Sequence, residues 1–220
     1  MTFRGFPVDG MNFYDELAAD NSKAFWQANK DRYGDSVKGP MLELTAALEE
    51  FGPFRLFRPH NDLRFSKNRP PYKVQQGAYG ESEGGTGYYV QISAAGLTAD
   101  VGYFAMAKDQ LARFRAAIDG ESTGAELVKL VADVERKRYS VTAISELKSA
   151  PRGYPRDHPR IELLRKKGLV IERAFGAPKW IHTAGAAKRV QDAWTGAEDL
   201  CAWLDSHVGP STLPPEDRPF

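Results

Sequence analysis

Residues 88–104 are the part of this chain that admits the fewest folds. Tyr88, Val90 and Ile92 alternate with Tyr89, Gln91 and Ser93; after Ala94-Ala95-Gly96, Leu97, Ala99, Val101 and Tyr103 alternate with Thr98, Asp100, Gly102 and Phe104. A period of two sends successive side chains to opposite faces of a sheet, and the short glycine-containing joint returns the chain antiparallel. Helical periodicity brackets this hairpin on both sides. Phe3 and Phe6 read as apolar anchors, Asn12 is positioned to cap a helix through Leu17, and Asn21 or Ser22 to cap a second whose Phe25, Trp26, Tyr33 and Val37 share one side. Trp26 and Tyr33 are read as packing residues. Pro40 suits the first turn of a third helix carrying Met41, Leu44, Leu48 and Phe51, with Gly52-Pro53 as its stop.

Downstream, Leu111, Phe114 and Ile118 form one helical stripe and Leu127, Leu130, Val131 and Val134 another. Thr123 and Glu126, and again Thr195 and Glu198, stand at capping-box spacing inside an identical Thr-Gly-Ala-Glu. Residues 54–58 and 169–175 read as strands, and a helical region from Ala186 to His207 is divided by Gly196. The glycine-rich run from Gly77 to Gly87 has no apolar periodicity and is expected to be a mobile loop; it lacks the Gly-Lys-Ser/Thr ending of a phosphate-binding loop. Helices before and after a cluster of strands predict an α+β fold, with a mostly antiparallel sheet and N- and C-terminal helices packed on it. The expected organisation is a single domain over residues 1–208 followed by a Pro-rich tail, 209–220, without fixed structure.

The formal net charge of +1 conceals a strong asymmetry. Residues 55–73 hold six cations (Arg55, Arg58, Arg64, Lys67, Arg69, Lys73) and one acid, Asp62; residues 148–173 hold eight cations and three acids. Each segment is net +5, which leaves the other residues at −9. Concentration of this kind points to a local anionic partner rather than to a generally basic surface that coats nucleic acid or membrane. The lone Cys201 rules out an intramolecular disulfide and a cysteine-based zinc site, and fits a reducing compartment. The first residues lack the apolar core of a signal peptide, and nowhere do roughly 18 apolar residues run together, so a cytoplasmic protein is expected.

Two stretches carry a resemblance. Asp62-Leu-Arg-Phe-Ser-Lys-Asn-Arg-Pro-Pro-Tyr-Lys73 and Pro151-Arg-Gly-Tyr-Pro-Arg-Asp-His-Pro159 resemble the paired signatures of the domain of unknown function 2461 family, and Asn21-Ser-Lys-Ala-Phe-Trp-Gln-Ala-Asn-Lys-Asp-Arg-Tyr33 is similar to its N-terminal helix. The resemblance covers roughly residues 3–207. It implies a common domain and leaves activity, cofactor and catalytic residues open.

The residues themselves suggest anion chemistry. Arg58, Arg64, Lys67, Arg69 and Lys73 supply forked and point-charge donors suited to phosphate or carboxylate, and Tyr72 adds a hydroxyl or a stacking face. Arg152, Tyr154, Arg156, Asp157 and His158 form a second candidate group near an expected helix start, with Asp157 also able to cap it. Among the four histidines His158 is the best general acid–base candidate, because imidazole titrates near neutral pH and its neighbours are polar. The histidines lack paired zinc spacing, and no metal or cofactor is expected. The leading expectation is that both basic motifs converge on one pocket for a phosphate- or carboxylate-bearing small molecule, with or without turnover. The alternatives are a nucleic-acid groove in which Tyr72 or Tyr154 stacks on bases, and a structural or protein-interaction module.

Overall fold

The computed structural model describes residues 2–62, 64 and 68–218. It is an α+β fold built on a six-stranded antiparallel sheet, as the sequence pattern predicts. The strands are β1 (Arg55–Leu56), β2 (Gln75–Glu81), β3 (Gly87–Ser93), β4 (Gly96–Tyr103), β5 (Ser140–Thr142) and β6 (Leu169–Gly176), in the order β1-β2-β3-β4-β6-β5. β3 and β4 are the expected hairpin. Its joint ends at Gly96, at φ +109°, where a Cβ would fall 1.7 Å from the Gly176 carbonyl oxygen, so only glycine fits.

The chain clusters into two compact units, the first of residues 1–80, 89–99 and 174–192, the second of residues 81–88, 100–173 and 193–220. In the first unit, α1 (Val8–Ala19), α2 (Lys23–Ala28), α3 (Lys30–Tyr33) and α4 (Gly39–Ala47) bury Phe13, Tyr14, Leu17, Trp26, Tyr33, Val37, Met41 and Leu44. Ser22 caps α2 as expected, its Oγ accepting the Phe25 N–H at 3.1 Å. α1 starts four residues before Asn12, behind Pro7, so Asn12 lies within the helix and does not cap it. Phe6 donates its N–H to the Ile181 carbonyl at 2.9 Å and is buried, the anchoring expected of it. A π-helical turn, Gly34–Lys38, precedes Pro40, which has no N–H to continue an ordinary α ladder.

The second unit contains α5 (Lys108–Asp119), α6 (Glu121–Arg136), α7 (Ile161–Arg165) and α9 (Glu198–His207); α8 (Gly185–Thr195) ends just before Gly196, which divides α8 from α9 as the sequence suggests. Phe114, Ile118, Leu127, Val134, Leu164, Leu200 and Leu204 are buried there. Neither capping box forms. α6 begins directly after Gly120, which puts Thr123 inside its first turn, where its hydroxyl donates to the Ala117 carbonyl at 2.6 Å; α9 follows Ala197 without a side-chain cap. After α9, Arg113 donates to the Val208 and Pro210 carbonyls, and Asp109 accepts from Ser211 and Thr212.

The expected mobile loop from Gly77 to Gly87 is instead the β2–β3 hairpin. Within the first unit, a Cβ at Gly77 would lie 2.3 Å from the Tyr89 hydroxyl and one at Gly80 would lie 3.0 Å from the Phe54 ring. Within the second, the turn closes through Ser82 N–H to Thr86 O at 2.9 Å, and Thr86 and Tyr103 both donate to Asp205 Oδ1 at 2.8 Å. The glycines mark close approach of neighbouring side chains rather than freedom of the backbone.

Candidate functional site

Between β1 and β2 the two ends of the first basic segment pair with each other to form a neck. Asn61 N–H donates to Pro71 O and Lys73 N–H to Pro59 O, both at 2.8 Å, around an antiparallel bridge between His60 and Tyr72. Asn21, just before α2, pairs with the neck as a strand would: its Oδ1 accepts the Tyr72 N–H at 2.9 Å and its Nδ2 donates to the Tyr72 carbonyl at 3.1 Å. Tyr72 is only 5% exposed and stacks on Trp26 at 4.4 Å, so that ring face is taken. Below the neck, buried Gln76 accepts from the Tyr33 hydroxyl and donates to the Phe57 and Gly77 carbonyls, which ties β2 to the residue that follows β1.

This neck carries more positive charge than its one acid can answer. Asp62 accepts the Arg64 guanidinium in two bonds, at 3.0 and 2.6 Å, and also the Arg64 N–H at 3.1 Å; Arg58 approaches at 3.5 Å. These contacts, Arg64 first, hold the Asp62 carboxyl far below the usual carboxylate range. Arg69 and Lys73 have no carboxylate partner among the described residues. The Lys73 ammonium instead lies 5.4 Å from the centroid of the Phe57 ring, which the Arg55 guanidinium also approaches at 5.9 Å. Burial, followed by the charges of Arg58 and Arg69, pushes the Lys73 amine below its ordinary value. Lys67 lies outside the described residues.

The second basic segment belongs to the other unit and is built differently. Two consecutive turns, closed by Tyr154 N–H to Pro151 O at 3.2 Å and His158 N–H to Pro155 O at 3.3 Å, leave Arg152, Arg156 and Asp157 exposed. Arg152 and Arg156 have no carboxylate partner among the described residues. His158 is 9% exposed, and both ring nitrogens are engaged: Nδ1 accepts the Arg160 N–H at 3.0 Å, leaving the Nε2 proton for Asp119 Oδ1 at 3.2 Å. Neither nitrogen has a lone pair free to take a substrate proton in this arrangement. Arg160 donates to the carbonyls of Ile118, Asp119 and Gly120 at 2.6, 3.0 and 3.3 Å, satisfying the open C-terminus of α5. A Cβ at Gly124 would lie 2.6 Å from Arg160 Nε, so that glycine keeps the guanidinium's place. Tyr154 packs edge-on to His158, and burial, with the Asp119 charge, pushes its phenol up against the opposing effect of Arg115. Asp157 is not the cap expected of it: α7 begins after Arg160 without a side-chain cap.

A family model described as "Conserved hypothetical protein (DUF2461)" matches residues 9–203, a stretch that includes both basic segments and the helix bearing Trp26. The chain belongs to that family. Neither the curated proteins nor the solved structures provide a match. For this DUF2461 member, no group of three or more His, Cys, Asp or Glu residues among the described residues could hold a metal ion, and no helix among them is long and apolar enough to cross a membrane. Cys201 is buried on α9, and burial raises its thiol to about 12, with Asp205 and Glu198 adding to it, so it packs rather than reacts. Sequence reasoning missed Asn21, read only as a helix cap, along with Phe57 beneath Lys73 and Asp119 beside His158. Each acts through a partner at least 16 residues away along the chain, and local pattern carries no signal of that.

Proposed function

We propose that this protein binds a phosphate- or carboxylate-bearing small molecule in the cytoplasm, at the neck formed by Arg58, Arg69, Tyr72 and Lys73. The observation that carries this is the charge balance at the neck. Asp62 is already committed to Arg64 and Arg58, while Lys73 and Arg69 have no acid among the described residues and the Lys73 amine is pressed downward by burial and then by its cationic neighbours. An entering anion would relieve that repulsion, and guanidinium and ammonium donors match its oxygens. The test is a thermal-shift titration with inorganic phosphate, a sugar phosphate and a dicarboxylate. A ligand at a hundred times its Kd stabilises by about 2.7 kcal/mol. The shift is expected to vanish in Arg58→Ala and to strengthen in Asp62→Asn, which removes the internal competitor. Equal shifts in wild type and Arg58→Ala would refute the assignment, and the same titration in Arg152→Ala reports whether the second segment contributes to binding.

The exposed pair Arg152 and Arg156, flanking Tyr154, supports a second possibility, a nucleic-acid surface on the other segment. It requires oligonucleotide binding that falls steeply with salt and is lost in the Arg152→Ala, Arg156→Ala double variant.

A further inference from the structure

Two lysines among the described residues end on a carboxylate. Lys166 meets Glu146 at 2.7 Å and Lys188 meets Asp192. Lys73 differs on every count. Its backbone is fixed by the bond to Pro59, its Nζ lies against the Phe57 ring, its ammonium has no carboxylate partner among the described residues, and its charged neighbours are the cations Arg58 and Arg69. A half-buried amine held on an apolar ring beside two anion-binding guanidiniums has the layout of an amine nucleophile with an anchor for its substrate.

We propose that Lys73 condenses with the carbonyl carbon of an aldehyde or 2-oxo acid whose phosphate or carboxylate is held by Arg58 and Arg69. The proposal rests on the anion assignment above and adds the substrate's second functional group. In the step, the Lys73 ammonium releases one proton and its lone pair forms the C–N bond. The second amine proton passes to the carbonyl oxygen, giving a carbinolamine; that oxygen takes up the released proton and leaves as water, and the nitrogen is left as a protonated imine. No oxidant or reductant enters, and the overall charge is unchanged. The same burial and cationic neighbours that lower the amine's proton affinity raise the fraction able to attack. The Phe57 ring limits the directions from which a carbonyl can approach.

The experiment treats the full chain with substoichiometric pyridoxal 5′-phosphate, which combines an aldehyde and a phosphate, and in parallel with glyoxylate, which combines an aldehyde and a carboxylate. Each adduct is reduced with borohydride and located by peptide mass spectrometry. Lys73 is expected to carry severalfold more label than an exposed lysine such as Lys148, because burial and the neighbouring cations favour its neutral amine. Inorganic phosphate should suppress that label, and Arg58→Ala should lose the preference. Lys73→Arg should abolish the label at position 73, and a circular-dichroism spectrum and urea midpoint matching wild type show that the variant is folded. Label distributed among lysines according to exposure, alongside a normal phosphate shift, overturns the nucleophile and leaves the anion site standing. Label at Lys73 that phosphate neither shifts nor competes with overturns the anchor, and with it the substrate class. Labelling by one probe alone distinguishes a phosphate anchor from a carboxylate one.

Discussion

The two basic segments carry the same net charge of +5, yet their cations are spent in different ways. In residues 151–160 the half-buried Arg160 and the buried His158 are committed to the end of α5, and only Arg152 and Arg156 extend into water. In residues 55–73 the commitment is reversed. The neck is held by backbone bonds, by Asn21 and by the Trp26–Tyr72 stack, while Arg69 and Lys73 take no part in an ion pair among the described residues. A count of charges cannot distinguish a cation that terminates a helix from one that no acid answers. Burial and the identity of the partner do.

The largest effect that could break this contrast is at Arg160. Arg160→Ala leaves three carbonyls at the end of α5 without their donor and is expected to cost about 3 kcal/mol in urea unfolding, with the phosphate shift unaltered. A neutral result would remove the structural role assigned to the second segment. Asp100 on β4 sharpens the contrast from the acidic side, since it is a buried carboxyl whose Oδ1 has no hydrogen-bond partner among the described residues. Burial, with the Glu172 charge adding, raises its pKa from 3.8 to about 8. The folded state therefore binds this proton more tightly than the unfolded chain. Ionisation of Asp100 costs nothing below about pH 4, and stability drains away as pH rises from there to about 8. Asp100→Asn is expected to stabilise by about 2 kcal/mol at pH 8, the linkage gain less the cost of burying an amide, and to show no gain at pH 4. Equal Tm changes at the two pH values would contradict it. The smallest effects are expected at the exposed cations: Arg152→Ala and Arg156→Ala should each change stability by less than about 0.5 kcal/mol. A loss above about 1 kcal/mol would mean that these arginines, like Arg160, are committed to the fold.

Much of the architecture was legible because it is periodic. Alternation over 88–104, the helical stripes through Trp26 and Phe114, Ser22 before α2 and Gly196 between α8 and α9 each express a rule that operates within a few residues. The site was legible only as composition: residues 55–73 announce an excess of cations, and nothing nearby says that Asn21 closes the neck or that Phe57 receives the Lys73 amine. The expected caps failed for a related reason. Thr123 and Asp157 are of the right type and spacing, but α6 starts at Glu121 and α7 at Ile161, positions set by how those helices pack and by Arg160.

The sequence by itself determined that helices flank an antiparallel hairpin, because side-chain period and turn chemistry are properties of consecutive residues. Only the tertiary structure decided what the glycines of 77–87 are for and which cations remain uncommitted. Gly77 yields to Tyr89, Gly80 to Phe54 and Gly84 to Asp205, and Arg160 finds its carbonyls about 40 residues upstream. Contacts of that kind arise when distant segments are brought within van der Waals or hydrogen-bonding range, a distance that the order of residues along the chain does not encode.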